Sequence, residues 1–248
     1  PDKGFLLNKI PVKIKGMCLH HDCGLTGAAG HMEIWERRLK ALKDMGCNGI
    51  RCAHNPPAAE FLDLCDRMGF LVVDEVFDEW MEIKNKNTES APNSPSFGTG
   101  QFFRRRAGTE LRAMLHRDYN HPSVILWSVG NEIPEQASRE GVKTLQYLQD
   151  ICHRENPSRM VTCACDNIAA SGSSRTLREF ENVLDVTGYN YVGRWRERAE
   201  TFYEEDRMLY PGRRFFGSEN PGAGGLRGYY SPEGLRDSFR AVLTHEAL

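Results

Sequence analysis

Apolar positions in this chain fall into two spacings that take turns. Short runs at 12–19, 47–52, 70–73, 124–129, 160–165, 183–189 and 214–220 are bounded by Gly, Pro, Asn or charged residues and read as buried strands. Between them Trp35, Leu39, Leu42 and Met45 recur at intervals of three and four, and Phe61, Leu64, Cys65, Met68 and then Val142, Leu145, Leu148, Cys152 mark similar stripes. These are amphipathic helices, the first two stopped by Gly46 and Gly69. Further helices are predicted over 103–117 and 199–208, and Ser231-Pro232-Glu233 opens a last one. Residues 4–16 form a hairpin about Asn8-Lys9-Ile10-Pro11, with Lys9 standing where turn chemistry favours glycine. Periodicity is lost from Met81 to Gly100, which marks a functional loop or a mobile segment, and Trp80 and Phe97 at its ends are candidates to wall a site. Seven strands alternating with helices in 248 residues suit an α/β chain of the (β/α)8 TIM barrel kind.

Two of these strands end in a carboxylate. The run 124–129 empties into Gly130-Asn131-Glu132, and 214–220 carries Ser218-Glu219-Asn220. In a parallel barrel such strand ends open onto the face where active sites sit, although a glutamate there also suits a helix N-terminus. Paired carboxylates on two strands of one barrel are the equipment of a glycosidase. Arg51, near the end of the second strand, is placed to hold Glu219 ionised or to serve a structural ion pair. Side chains alternate along the first strand, so His20 and Asp22 face the barrel mouth together and His21 looks elsewhere. Adjacent histidines cannot supply both ligands of a barrel metallohydrolase from a regular strand, which weakens that third reading unless the strand breaks at His20, and no metal site is assigned.

The motifs HPSVILWSVGNE, RCAHNPP and LCDRMGFLVVDE, with the later GSE, resemble the catalytic barrel of glycoside hydrolase family 2, which includes β-galactosidases, β-glucuronidases and β-mannosidases. The resemblance covers residues 4–248 as one catalytic barrel with seven βα units, and makes residues 1–3 a linker stump from preceding β-sandwich domains. In the family an eighth strand follows the last helix, so the barrel reads as truncated before that strand. The resemblance implies a retaining exo-β-glycosidase with Glu219 as nucleophile and Glu132 as acid/base. It implies Asn131 at the sugar 2-hydroxyl, Tyr191 hydrogen-bonded to the nucleophile, and His54, Asn55 and His20, with Asp22 in support, near other hydroxyls. Asp74 and Glu75 resemble a structural network around the sugar site. The wording of the motifs sits closest to bacterial β-galactosidases, with β-glucuronidase or β-mannosidase, or a carbohydrate-binding barrel without turnover, as alternatives.

Composition narrows the partners. A net charge of −2 leaves no footprint for nucleic acid, and the Arg104-Arg105-Arg106 triplet lies on a helical pattern that reads as a solvated face. No apolar run approaches the roughly 18–20 residues of a membrane span. The chain starts at Pro1 without an initiator methionine, so export stays open between a bacterial cytoplasm and periplasm. The eight cysteines lie in strand or helix patterns and read as reduced core residues. The glycine-rich stretch after Asn220 lacks the Lys-Ser/Thr of a phosphate cradle. No cofactor is required, though family resemblance allows a divalent or monovalent cation. The partners expected are a carbohydrate, the preceding β-sandwich domains and, in some relatives, further copies in a homo-oligomer.

Overall fold

The computed structural model describes residues 4–84, 98–166, 175–191 and 196–220. The linker stump at 1–3, Phe97, the glycine-rich loop and the last helix lie outside them. A hairpin of β1 (Leu6–Leu7) and β2 (Ile10–Pro11) comes first. Its turn residues Asn8 and Lys9 have φ of 51° and 70°. Lys9 thus takes the left-handed backbone that glycine would take without steric cost, and the hairpin forms nevertheless.

Seven parallel strands follow, and their spatial order is their chain order. They are β3 (Gly16–His20), β4 (Gly49–Ala53), β5 (Leu71–Glu75), β6 (Val124–Asn131), β7 (Met160–Cys165), β8 (Val186–Asn190) and β9 (Phe215–Glu219). One α-helix joins each consecutive pair: α1 (Met32–Asp44), α2 (Ala59–Met68), α3 (Gly100–Asp118), α4 (Arg139–Glu155), α5 (Arg178–Val183) and α6 (Arg196–Leu209). Six spacings of about 4.8 Å would hold the outer strands of a flat sheet roughly 29 Å apart. Instead the Cys18 thiol of β3 donates to the Ser218 carbonyl of β9 across 3.3 Å. The sheet is therefore rolled, as a TIM barrel requires.

Alternation along the strands decides what faces where. Ile50 and Cys52 of β4, Trp127 and Val129 of β6, and Val161, Cys163 and Cys165 of β7 pack outward into one core with Leu39, Leu62, Leu111, Leu115, Leu145 and Leu148 of the helices. Each fully buried large side chain contributes about 1.5–3 kcal/mol. The intervening positions, Arg51, Glu75, Ser128 and Asn190, carry the polar groups that meet one another in the site below. Gly46 and Gly69 adopt φ of 85° and 69°, as expected of helix stops.

Three expectations shift. Residues 12–15 are not strand: Asn48 ties that segment instead, accepting from Lys15 N–H and donating to the Lys13 carbonyl. Val183 ends α5 rather than opening β8, because Phe180 is fully buried and anchors a short helix that the apolar run concealed. Trp80 is 0% exposed, stacks on Phe103 and donates its indole N–H to the Val129 carbonyl, so it belongs to the core and walls no site. All eight cysteines are free thiols, six of them buried. No helix among the described residues is long and apolar enough to cross a membrane.

Candidate active site

Because β3 to β9 are parallel, their C-terminal ends share one rim. Arg51, Glu75, Asn131, Asn190 and Glu219 come from five of these strands, and Glu132 and Tyr191 are the first residues past two of them. Both latter residues have left-handed backbones, φ 48° and 58°. Each still donates its N–H to a neighbouring strand, Glu132 to the Ala164 carbonyl and Tyr191 to the Glu219 carbonyl. The register shifts at Asn131 and at Asn190 accompany these turns and re-aim the side chains, as bulges next to active sites do.

Glu219 is held from two sides. Arg51 Nη1 donates to its Oε2 at 2.8 Å, and the Tyr191 hydroxyl donates to its Oε1. Burial pushes the Glu219 carboxyl up, but these hydrogen bonds and the Arg51 charge outweigh it and leave the group below the usual carboxylate range. Glu132 stands in the opposite condition. Burial raises it, the neighbouring Asp166 and Glu219 charges raise it further, and one hydrogen bond from Asn190 Nδ2 at 3.1 Å only partly offsets them. One carboxyl is thus biased to stay ionised and the other to keep its proton.

A polar relay connects the two. Arg51, 4% exposed, grips Glu75 with Nε and Nη2 at 2.8–3.0 Å and donates from Nη2 to Asn131 Oδ1 at 2.8 Å. Glu75 also accepts from Ser128 Oγ at 2.6 Å and contacts His54 Nδ1 at 2.8 Å. Asn190 donates to both Asn131 and Glu132, while its own Oδ1 accepts from Ser218 Oγ at 2.7 Å. Asn131 Nδ2 donates to Asp78 Oδ1 at 3.2 Å, and Lys84 Nζ approaches the same oxygen at 2.7 Å.

Of the residues expected at the site, Arg51, Asn131, Glu132, Tyr191, Glu219 and His54 meet there; His54 Nε2 lies 3.8 Å from Glu219 Oε2. His20 stacks edge-on against His54 with centroids 5.1 Å apart. Asp22 does not alternate into the mouth with His20, because β3 stops at His20; its Oδ1 instead accepts from Gly24 N–H at 2.7 Å. Asn55 is exposed, bonds the adjacent Pro56 carbonyl and makes none of the carboxylate contacts. Asn190, Ser128, Ser218 and Asp78 were not singled out from the sequence: strand register brings the first three to the site, and Asp78 reaches it from the segment after β5. Among the described residues, the Asp63, Asp66 and His121 group has ligand atoms within 4.8 Å of one another. It lies at the opposite end of the barrel, where Asp66 already accepts from Ser123 N–H and contacts His121.

A rolled parallel sheet with two differently biased carboxyls on its C-terminal rim defines the class of barrel to which comparison points. Residues 1–207 match the model of glycosyl hydrolases family 2, TIM barrel domain, and the chain belongs to that family. It is 36% identical to the β-galactosidase BoGH2A of Bacteroides ovatus, over 92% of this chain and 28% of that protein. A β-glucuronidase of Bacteroides fragilis is 30% identical over 66% of this chain and 22% of its own length. A crystal structure of a glycosyl hydrolase family 2 member from Bacteroides cellulosilyticus superposes with a TM-score of 0.78 at 34% identity, covering 98% of this chain and 27% of that one. The chain spans about a quarter of the length of these relatives.

Proposed function

We propose that the protein is a retaining exo-β-glycosidase in which Glu219 attacks the anomeric carbon and Glu132 protonates the leaving oxygen. The observation that carries this reading is the contrast between Glu219, bonded by Arg51 and Tyr191 and held below the usual carboxylate range, and Glu132, raised above it by burial and nearby negative charge. In the first half-reaction the Glu219 carboxylate forms a glycosyl ester as the aglycone leaves with the Glu132 proton. In the second, Glu132 removes a proton from water, which breaks that ester with net retention. Asn131 lies beside Glu132 in sequence and serves the sugar 2-hydroxyl, a contact that strengthens in the transition state. His54, 3.8 Å from Glu219, and His20, edge-on to His54, serve further hydroxyls. The mechanism needs no cofactor.

β-Galactosides are the favoured substrates, by similarity to the Bacteroides ovatus β-galactosidase; similarity to β-glucuronidases makes β-glucuronides the second choice. A panel of activated 2-deoxy-2-fluoro-β-glycosides tests both points. Intact-mass analysis is expected to show one added glycosyl group, mapped to the peptide containing Glu219, from the galactosyl member. Labelling by the glucuronyl member alone would change the substrate and keep the mechanism. No label from any member, with the protein folded, would sink the glycosidase reading.

A further inference from the structure

The orientation of the Asn131 amide is dictated by its neighbours. Arg51 is a donor only, so the atom it meets must be Oδ1, and the 3.1 Å contact from Asn190 Nδ2 reaches the same oxygen. Asp78 lies below the usual carboxylate range: burial raises it, but hydrogen bonds from Lys84 and Asn131 and the Lys84 charge outweigh that. An ionised carboxylate only accepts, so the atom it meets must be Nδ2. Arg51 and Asp78 thereby pin the amide from opposite ends. The second N–H of Nδ2 is what remains to be offered to a ligand, and a flipped amide would set a carbonyl oxygen against Asp78.

Asp78 is itself fixed. Lys84 Nζ sits 2.7 Å from its Oδ1, with the two side chains 20% and 33% exposed, and Lys84 N–H is tied to the buried Glu79 carboxylate at 3.1 Å. We infer that Asp78, held by Lys84, is a positioning residue that locks Asn131 as a hydrogen-bond donor toward the substrate's 2-hydroxyl. The inference rests on the glycosidase reading above.

The test compares an aryl β-glycoside with its 2-deoxy analogue in the full chain, for wild type, D78A, D78N, K84M, N131A and D78A/N131A. D78A is expected to lose roughly 10- to 100-fold in kcat/KM on the parent glycoside, the scale of one charge-assisted hydrogen bond, and less than about threefold on the 2-deoxy analogue. The double variant should be no worse than N131A. D78N, which keeps shape and an acceptor oxygen, and K84M should show smaller losses with the same selectivity. Equal loss on both substrates, or additivity of D78A with N131A, would overturn the positioning role and leave the glycosidase reading intact. A folded wild type that turns over no β-glycoside would remove both.

Discussion

Tyr191 and Arg51 divide the two oxygens of Glu219 between them, so each can be removed separately. Loss of the tyrosine hydroxyl in Y191F should slow turnover roughly 10- to 100-fold, the worth of a hydrogen bond to a charged group. Because that bond helps hold Glu219 below its ordinary range, the acid limb of the kcat/KM profile should move to higher pH in Y191F. An unmoved limb would mean that Tyr191 does not tune Glu219. Asp74 offers a test of a different kind. It is fully buried, and burial, followed by the charge of the Asp118 carboxylate and a hydrogen bond shared with it, pushes it well above the ordinary carboxylate value of 3.8. The folded state therefore holds this proton after the unfolded chain has lost it. Stability tied to Asp74 is complete below pH 3.8 and declines as pH rises toward the raised folded value. D74N should flatten that decline in urea midpoints measured across pH, and an unchanged slope would count against a protonated Asp74. Glu132 and Glu219 were legible in the sequence because an apolar run ending in a carboxylate is locally odd. Asn190 was not, because its role depends on which residues of β6 and β9 stand opposite it.

β4 delivers one buried cation to three partners on other strands: Glu75, Asn131 and Glu219. Replacing it in R51M would leave the fully buried Glu75 without its main counter-charge, a change that costs about 3–5 kcal/mol in comparable buried pairs. Chemical denaturation should show a loss of that size; a loss under about 1 kcal/mol would mean that the relay is solvated. R51K is no rescue, since a lysine lacks the fork that serves several acceptors. Elements with undiluted periodicity were legible: β7 was read at its observed bounds, and the buried stripes of α1, α2 and α4 matched their spacing. The misreadings share a cause. β3 was read too long because Asn48 side-chain bonds occupy the segment before it, and α5 was hidden because its last residue, Val183, is continuous with the apolar run that leads into β8. Met45, read into the α1 stripe, is 70% exposed at the helix end. Periodicity does not distinguish a stripe from its fraying edge.

The rolled sheet makes the site a property of the whole barrel. Glu219 meets Arg51 across 168 residues of sequence, and the Cys18 thiol spans 200 to reach the Ser218 carbonyl. Burial pushes that thiol up to about 11, so it keeps the proton it donates. Curvature is the feature least visible in the sequence, where each strand looks the same in a flat sheet or a closed one; chain length, the alternation of strands with helices and motif resemblance pointed to a barrel. The central claim, that the rim carries a nucleophile at 219 and an acid/base at 132, is tested most directly by the stereochemistry of azide rescue. With an activated aryl glycoside and sodium azide, E132A should yield the β-glycosyl azide, because azide attacks the glycosyl ester on Glu219. E219A should yield the α-glycosyl azide, because azide replaces the missing carboxylate and attacks the substrate itself. Exchange of the two products would reverse the roles, and rescue of neither variant in a protein that still hydrolyses β-glycosides would contradict the account.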